Sequence, residues 1–455
     1  MSDVIADLVV IGAGPAGLAA ACEARALGLS TILLDEQTTI GGQIYRNIEA
    51  SPTERRMILG DDYSVGEKLA AEFRQSGTDY RDGATVWNLT RDGTVDYVRG
   101  HAASVTGRCV LMASGAMERP FPIKGWTLPG VMGAGAAQIL LKGAGAMPSD
   151  PVVLAGCGPL LYLLAWQYLR AGAEIGAVVD TTAAAAYLRA LPHTLGALMG
   201  WRDLSKGLKL LATLKRSGVP VYSGAKELAI EGETTVEALT FKHRGKPVGL
   251  PASLVLLHQG VVPNTQLSLS TGLEHRWNPE QLCWQPLTDE WGRMGESALY
   301  VAGDSRGIVG AQASAVQGRL AALSAARQLD ASAEVAERAG VLKRQLSHYT
   351  RIRPFLDALY RPLSEHRVPP RDDVTVCRCE EVTAGQIRGY VELGCLGPNQ
   401  TKSFGRCGMG PCQGRFCSLT VTEMIAEARG VPPEEVGHYR IRPPVKPVLL
   451  GDLVE

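Results

Sequence analysis

An excess of charge of either sign is the first feature that this sequence lacks. Its 455 residues include 46 lysines and arginines and 46 aspartates and glutamates, so the formal net charge is zero. Proteins that bind nucleic acid or an anionic membrane surface typically carry a clear positive excess. The overall balance therefore predicts neither partner.

Long uncharged segments are also scarce. Residues 151–169 carry no charge and are nearly long enough to cross a bilayer. They contain Gly156, Gly158 and Pro159, however, which fit a strand, a tight turn and a helix better than a membrane span. The first ten residues lack the basic segment that opens a signal peptide. We therefore expect a cytoplasmic chain without a membrane span.

The ten cysteines are unevenly placed, and none of them forms a C-x-x-C motif. Four are scattered before residue 300, and six lie between Cys377 and Cys417. In a chain without a secretion signal, such clustering indicates metal binding rather than disulfide bonds.

A dinucleotide-binding motif opens the chain. Residues 8–11 form an apolar strand, and Gly12, Gly14 and Gly17 follow in a turn that leads into a helix. These glycines permit the tight turn, the approach of a pyrophosphate and close packing of the helix on the strand. A second strand ends at Asp35, where a carboxylate is needed for a ribose hydroxyl. The motif alone is weak evidence, but the strands, helix and acid around it make it specific.

A second motif of the same kind is incomplete. Gly156 and Gly158 follow another apolar strand, but Leu161 replaces the third glycine. The next strand ends at Asp180 and is followed by two threonines rather than an arginine that would hold a 2′-phosphate. We expect the fold to be retained, with NADPH binding disfavoured and NADH binding weakened. The alternative that this second motif binds an adenine nucleotide with only a structural role stays open.

Further motifs follow in a fixed order along the chain. They are a Gly-Gly pair at 41–42, an Ala-Ser-Gly turn at 113–115, a related turn at 254–264 and a Tyr-Val-Ala-Gly-Asp strand at 300–304. Over residues 5–330 this series resembles the two-dinucleotide-binding flavoproteins, which include thioredoxin reductase and ferredoxin reductases. The resemblance implies that the first motif binds FAD.

Asp304 has two interpretations. It is a plausible helix-capping residue, whereas the resemblance implies that it holds the FAD ribityl chain, with the next helix aimed at the flavin. We favour the FAD role. The predicted nucleotide-binding residues are Gly12, Gly14, Pro15, Ala16, Gly17, Asp35, Glu36, Gln37, Gly42, Gln43, Val86, Ala113, Ser114, Gly115, Gly303, Asp304 and Ala311 for FAD, with Gly156 and Gly158 in the second motif.

Two cysteine pairs near the C-terminal end form the predicted metal site. Cys377 and Cys379 are spaced C-x-C, and Cys412 and Cys417 are spaced C-x4-C. Such thiolates can hold a two-iron cluster or zinc, but zinc sites more often use C-x2-C spacing, so we favour the cluster. Cys407 is also C-x4-C from Cys412, so its part in the site stays open.

Residues 377–387 and 406–417 resemble the bacterioferritin-associated-ferredoxin-like [2Fe-2S] domain. With the flavoprotein part, nearly the whole chain resembles one family. That family contains the α subunits of octopine and nopaline dehydrogenases (opine oxidases), dye-linked L-proline and D-hydroxyproline dehydrogenases, and hydrogen cyanide synthase. The large subunit of heterotetrameric sarcosine oxidase shares the flavoprotein part.

The resemblance implies an electron-transfer α subunit. Substrate oxidation would belong to an FAD-containing β subunit, a small ferredoxin-like γ subunit is often present, and an FMN at the α–β interface is allowed. The resemblance also implies a hetero-oligomer that passes electrons to an external acceptor. We predict no catalytic residue in this chain, because no redox cysteine pair follows the Gly-Gly pair at 41–42.

Two alternatives compete with this function. One is a stand-alone NAD(P)H-dependent ferredoxin or dye reductase, which the incomplete second motif disfavours. The other is a scaffold with a vestigial flavin fold, which the intact first motif disfavours.

The predicted fold class is α/β, a two-dinucleotide-binding-domain flavoprotein of Rossmann-like type with a small α-rich [2Fe-2S] domain. Residues 183–218 have helical spacing, and we expect their apolar stripe to be core. The predicted domains are 1–120 and 285–330 for FAD, 121–284 for the second dinucleotide fold, 331–370 for a helical connector, 371–430 for the cluster and 431–455 for a Pro-rich tail.

Overall fold

A computed structural model of the chain describes residues 4–329 and 335–453. The ends of the chain and residues 330–334, where the predicted connector begins, lie outside the described residues. Unit 1 consists of Met1–Met117, Val262–Thr350 and Arg440–Glu455, and unit 2 consists of Glu118–Val261 and Arg351–Tyr439. The narrower domain limits given above stay a prediction.

The sheet of unit 1 is built around two long parallel strands, Val4–Ile11 and Ala102–Met112. Their central residues are apolar and buried, as is typical of a sheet covered on both faces. The strand order is Asp79–Arg81, Thr31–Leu34, Val4–Ile11, Ala102–Met112, Thr94–Val98 and Thr85–Leu89, with Leu299–Val301 also paired to Ala102–Met112.

Two helices of unit 1 pack unusually close to each other. A Cβ atom on Gly318 would lie 2.0 Å from the carbonyl oxygen of Ala16, so only glycine permits this contact. It joins Pro15–Ala26 to Ala311–Gln328. The other helices of unit 1 are Thr53–Leu59, Asp61–Gln75, Gln266–Ser270, Val335–Thr350 and Leu450–Leu453, and a hairpin pairs His275–Asn278 with Cys283–Pro286.

Unit 2 contains a parallel sheet and an antiparallel sheet. The parallel strands run in the order Val221–Ser223, Ile175–Asp180, Val152–Cys157, Val255–Gln259 and Val131–Gly133, and the antiparallel strands in the order Lys226–Glu231, Ala238–His243 and Lys246–Pro251. Side chains from both sheets form one buried cluster that also includes Trp126 and Val374. Val374 ties the cysteine-rich segment to this core.

The helices of unit 2 are Ala134–Ala144, Pro159–Ala171, Ala184–Ala190, Thr194–Met199, Trp201–Arg216, Arg353–Leu359, Ala384–Glu392, Pro398–Gly405, Ser418–Arg429 and Pro433–Val436. Thr383 caps the helix Ala384–Glu392 in a reciprocal pair with Gln386. Short strands at Thr375–Cys377 and Val382–Thr383 pair just before this helix. Two further short strands, Ala116–Glu118 and Val261–Pro263, fall where the chain passes between the units. Among the described residues, no helix has both the length and the apolar character needed to cross a bilayer.

The expectation that the apolar stripe of residues 183–218 is core holds for only one face of the segment, which includes the buried Leu210 and Leu214. The three helices of this segment form an outer layer, and only one face of each is covered. Nine large apolar side chains point outward and are 42–70 % exposed: Tyr187, Leu188, Leu191, Leu195, Leu198, Met199, Trp201, Leu208 and Leu211.

Replacing Gly318 with alanine tests the close helix contact. We expect Gly318→Ala to lower the free energy of unfolding by about 1–3 kcal/mol, because the new methyl group must push two backbones apart. The measurement is denaturant unfolding of the full chain followed by circular dichroism.

Gly340→Ala is the matched control, because Gly340 is also inside a unit 1 helix and its nearest neighbour is the flexible end of Arg344, 3.7 Å away. It should stabilise the chain by about 0.5–1 kcal/mol. Equal stability of the two variants would contradict the contact.

Candidate functional site

The first glycine-rich turn connects the strand Val4–Ile11 to the helix Pro15–Ala26. Gly12 has a φ of +108°, and a Cβ on it would lie 2.5 Å from the carbonyl oxygen of Ala113. A Cβ on Gly17 would lie 1.9 Å from the carbonyl oxygen of Gly12. No side chain of the described part of the chain caps this helix, so its first amides are available to an anion.

A second pair of glycines faces this turn. A Cβ on Gly42 would lie 2.8 Å from the Cα atom of Gly14. Arg46 holds the adjacent side chains by donating to the Oε1 atoms of Gln37, at 2.5 Å, and Gln43, at 3.0 Å. The two backbones therefore form a cradle without side chains, which is the surface that a pyrophosphate needs.

Asp35 is fixed by the turn that it follows. Its carboxylate accepts hydrogen bonds from the amides of Ala13, at 2.5 Å, and Gln37, at 2.7 Å. Burial raises the pKa of Asp35, and the two hydrogen bonds oppose this rise. The next acid, Glu36, forms an ion pair with Lys446. Asp35 thus lies at the turn, and its contact with a ribose and the predicted FAD contact of Glu36 stay predictions.

The C-terminal segment lies beside the strand that contains Val86, one of the predicted FAD-binding residues, and sequence reasoning missed this contact. Val86 is buried in the strand Thr85–Leu89, and the carbonyl oxygen of Trp87 accepts a hydrogen bond from the amide of Val445 at 2.9 Å. No sequence signal could have found this, because pairing over such a separation depends only on the fold.

The Ala-Ser-Gly turn continues the same site. The amide of Ala113 donates to the carbonyl oxygen of Ile11 at 2.8 Å, which places the turn beside the first strand. The Ser114 hydroxyl donates to the carbonyl oxygen of Asn264 at 2.9 Å, and the amide of Asn264 donates to that of Gly115 at 3.0 Å. Two turns that are far apart in sequence are therefore joined.

The late strand brings Gly303 and Asp304 to the first helix. A Cβ on Gly303 would lie 2.9 Å from the Cβ of Ala16. The Asp304 carboxylate accepts hydrogen bonds from the amides of Val309, at 2.8 Å, and Gly310, at 2.9 Å, just before the next helix begins. Both amides precede the helix, and no side chain of the described residues caps it, so Asp304 stabilises the loop before the helix and does not cap the helix itself. Its FAD role stays a prediction.

The second glycine-rich turn is closed by side chains of its own unit. Gly156 has a φ of +138°, and a Cβ on Gly158 would lie 3.3 Å from the Nε2 atom of His258. The imidazole of His258 is buried, and its Nδ1 atom lies 2.7 Å from Glu118 Oε1. Leu161, which replaces the third glycine, is fully buried. A fixed ring therefore lies against this turn.

The acid of the second motif is also satisfied internally. Asp180 is buried and accepts hydrogen bonds from the Tyr162 hydroxyl, at 2.7 Å, and the amide of Thr182, at 2.8 Å. The Cys157 thiol donates to the carbonyl oxygen of Tyr360 at 3.5 Å, so residues of the predicted connector reach this turn. Burial raises the pKa of Cys157 to about 12, which makes it a poor nucleophile.

Three cysteines of the C-terminal part meet in the interior. The Sγ atoms of Cys377, Cys407 and Cys417 lie within 4.8 Å of one another, and all three residues are buried. Hydrogen bonds from the other two thiols lower the pKa of Cys377 to about 2, and the amides of Gly408 and Glu380 also donate to it. The same hydrogen bonds raise the pKa of Cys407 to about 12, and they also raise the pKa of Cys417 well above its ordinary value. These contacts favour the thiolate form of Cys377, and a buried thiolate is a ligand for a soft metal ion.

The other two predicted ligands form a second pair nearer the surface. Cys379 is exposed, Cys412 is half-buried, and their thiols hydrogen-bond each other. A Cβ on Gly410 would lie 2.3 Å from the Cβ of Cys379, so this loop approaches the pair closely. The predicted ligands thus fall into two contacting pairs, and a fifth thiol lies beside the buried pair. The ligand set stays a prediction.

Tyr439 is a part of the cysteine site that sequence reasoning missed. It is buried, and its hydroxyl donates to Cys407 Sγ at 3.4 Å. Cβ atoms on Gly408 and Gly414 would lie 2.6 and 2.7 Å from its ring. In the sequence, only these glycines indicated that a bulky group packs beside the cysteines. They make room for the Tyr439 ring, and the amide of Gly408 also donates to Cys377.

Both parts of the chain match models of known protein families. Residues 6–328 match the model of the pyridine nucleotide-disulphide oxidoreductase family, and residues 374–454 match that of the sarcosine oxidase A3 domain. The chain is 48 % identical to the A subunit of opine oxidase from Rhizobium meliloti, over 99 % of this chain and 87 % of the relative. This chain belongs to the family of opine oxidase A subunits.

More distant relatives extend this family. Hydrogen cyanide synthase subunit HcnB of Pseudomonas aeruginosa is 32 % identical over 97 % of this chain and 96 % of its own length. The crystal structure of L-proline dehydrogenase from P. horikoshii is similar with a TM-score of 0.74, covering 100 % of this chain and 80 % of that one, at 19 % identity. That likeness confirms the predicted α/β fold class. The family consists of flavin-dependent oxidoreductases.

The residues present here fit the groups that the opine oxidase family implies. The glycine cradle of unit 1 suits a dinucleotide, because Gly12, Gly17 and Gly42 each lie so close to other backbone that no side chain can fill the turn. The buried cysteines suit a metal centre, because the amides that donate to Cys377 stabilise a thiolate much more than a neutral thiol, and metal ions bind the thiolate form.

Substituting a cradle glycine should remove the dinucleotide. We expect Gly42→Ala to lower the FAD content of the purified chain at least about tenfold, since its methyl group would meet the Gly14 backbone. Gly100→Ala is the control, because Gly100 also has a positive φ, of +77°, but no neighbour within 4 Å. FAD per chain, measured by absorbance after denaturation, should then stay at the parent level. Equal FAD content in both variants would contradict the cradle.

Proposed function

We propose that this chain is the electron-transfer α subunit of a multi-subunit flavin-dependent dehydrogenase that oxidises a CH–NH bond in an amino acid, imino acid or opine. The names of its relatives, which are subunits of opine oxidase and of hydrogen cyanide synthase, support a multi-subunit oxidase. One observation carries the proposal: a histidine ring held by Glu118 lies against the second glycine-rich turn and a tyrosine occupies its acid, whereas the first turn faces the bare backbone of Gly42 and the carboxylate of Asp35.

This asymmetry concerns how electrons enter the chain. A nicotinamide-dependent reductase needs a second turn that accepts a pyrophosphate and an acid that accepts a ribose. Asp180 is instead occupied by Tyr162 and Thr182, and His258 lies against Gly158. The arrangement favours electrons that come from a partner protein. It also disfavours an adenine nucleotide in the second domain.

The cofactors of the proposal are FAD in the first domain and a [2Fe-2S] cluster held by Cys377, Cys379, Cys412 and Cys417. A flavin exchanges electrons in pairs or singly and an iron–sulfur cluster exchanges them singly, so together they would link a two-electron oxidation to a one-electron acceptor. Within this chain, the cradle glycines position the dinucleotide, and the amides of Gly408 and Glu380 stabilise charge on Cys377.

The partners of the proposal are a catalytic β subunit that contains FAD and a small γ subunit that is ferredoxin-like, with an FMN at the α–β interface. The described groups at the first turn are glycine backbone, amides and a buried carboxylate that is already hydrogen-bonded. These groups can bind and position a dinucleotide. Substrate oxidation is therefore assigned to the β subunit.

Anaerobic mixing with NADH or NADPH tests whether electrons reach the flavin of this chain from a nicotinamide or from a partner protein. We expect NADH and NADPH to leave the flavin absorbance of the purified chain unchanged, and dithionite to bleach it at once. The β subunit together with its amino-acid, imino-acid or opine substrate should also bleach it. Rapid bleaching by either nicotinamide would instead establish the stand-alone reductase, and a colourless purified chain would establish the scaffold.

Single cysteine substitutions test the ligand set. We expect Cys412→Ser to lower iron and sulfide per chain at least about tenfold, because it removes one of four ligands. We expect Cys407→Ser to retain both, and Cys395→Ser serves as a buried control outside the cluster, where the thiol donates to the carbonyl oxygen of Gly397. The measurements are iron and sulfide content and electron paramagnetic resonance of the reduced chain. The reverse result would make Cys407 the ligand.

A further inference from the structure

The outer helical layer of unit 2, residues 184–216, is not explained by either site. Its helices are Ala184–Ala190, Thr194–Met199 and Trp201–Arg216. Their nine exposed apolar side chains belong to consecutive elements that pack against one another. Isolated exposed apolar residues are normal on a protein surface, but a continuous group of this size marks an interaction surface.

The inner face of the layer is already satisfied. Ala186 and Ala190 are buried against Ala358 and Leu359 of the helix Arg353–Leu359. Leu210 and Leu214 are likewise buried on the inner side of the longest helix. The outward side chains are therefore a second apolar face, which the packing of unit 2 does not use.

The longest helix combines two adjacent stripes on its outer side. Trp201, Leu204, Leu208 and Leu211 recur at intervals of three or four residues, which places them on one face. Arg202, Lys209 and Arg216 recur at intervals of seven, and all three are exposed. An apolar stripe with a basic stripe along its edge is the pattern of a helix that lies in a membrane interface.

Charge complementarity points to an anionic occupant. Residues 184–216 contain six lysines and arginines and one acid, Asp203, so six minus one gives a local charge of +5. Because the whole chain is neutral, the other residues together carry −5. The balanced total that disfavours a membrane surface thus hides a strongly basic layer.

The composition of the layer favours lipid over a protein partner. Six of its nine exposed apolar residues are leucine, and three of its six basic residues are lysine. Protein interfaces favour tyrosine, tryptophan and arginine at their centres and are depleted in lysine, and leucine is uncommon among their energetic centres. Leucine-rich apolar stripes edged by lysine and arginine are instead typical of interfacial helices.

We propose that residues 184–216 bind the surface of an anionic lipid bilayer, with the three helices lying in the plane of the interface. Trp201, Leu208 and the other outward apolar side chains enter the boundary between headgroups and acyl chains. Arg202, Lys209 and Arg216 contact the anionic headgroups. The chain binds as a peripheral protein, independently of the function proposed above.

Vesicle co-sedimentation of the full chain tests this proposal. We expect the chain to sediment with vesicles of phosphatidylcholine containing about one third phosphatidylglycerol, to bind pure phosphatidylcholine weakly, and to dissociate in high salt. The double variant Arg202→Glu with Lys209→Glu should weaken binding at least about tenfold, since each basic residue contributes roughly fivefold. A separate double variant, Trp201→Glu with Leu208→Glu, should also weaken binding at least about tenfold, because it removes apolar side chains that enter the bilayer.

Matched variants keep the test specific. Lys226→Glu with Lys246→Glu makes the same charge change on the exposed antiparallel sheet, and Leu393→Glu with Leu449→Glu makes the same apolar change at exposed sites elsewhere. Both should bind like the parent chain. Retained circular dichroism and FAD content show that each variant is folded.

Three outcomes would overturn the proposal: absence of binding to the anionic vesicles, equal loss of binding in the matched variants, or unchanged binding in the layer variants. Sedimentation velocity and co-purification with the β subunit identify the other occupants. The layer is a protein interface if two results are obtained together: the layer variants dissociate a dimer or release the β subunit, and the parent complex does not bind the vesicles.

Discussion

Contacts between backbones that leave no space for a Cβ atom are the constraint on which unit 1 depends. Gly17 brings the first helix against Gly12, Gly318 brings a later helix against Ala16, and Gly42 brings a loop against Gly14. Each contact removes a side chain from the region where the first strand ends. The surface that results consists of amides and a helix N-terminus, which suits a pyrophosphate.

In the second dinucleotide fold, side chains of the same unit occupy the glycine-rich turn. Its strands and helix are retained, and Gly156 still has a backbone conformation that favours glycine. Leu161 is buried in place of a glycine, a histidine held by Glu118 lies against the turn, and Asp180 is occupied by a tyrosine. These contacts stabilise the unit itself. They also remove the groups that a nucleotide would need.

The cysteine site depends on the cost of burying negative charge. A thiolate at Cys377 is stabilised by two thiols and by backbone amides, because a buried charge without such partners would be expensive. The outer pair, exposed Cys379 and half-buried Cys412, lies on the same two segments of the chain. An arrangement with one buried and one accessible side suits a centre that passes electrons outward.

Local patterns in the chain were sufficient for the α/β fold class and its two dinucleotide folds, which depend on glycine spacing and apolar periodicity between near neighbours. The membership of the family followed instead from the resemblance of several motifs to those of known proteins. Folding alone placed Cys407 beside Cys377, Tyr439 over Gly408, Lys446 on Glu36 and His258 against Gly158. It also turned the apolar face of residues 184–216 outward, because periodicity shows that a helix has an apolar face but not whether a neighbour will cover it.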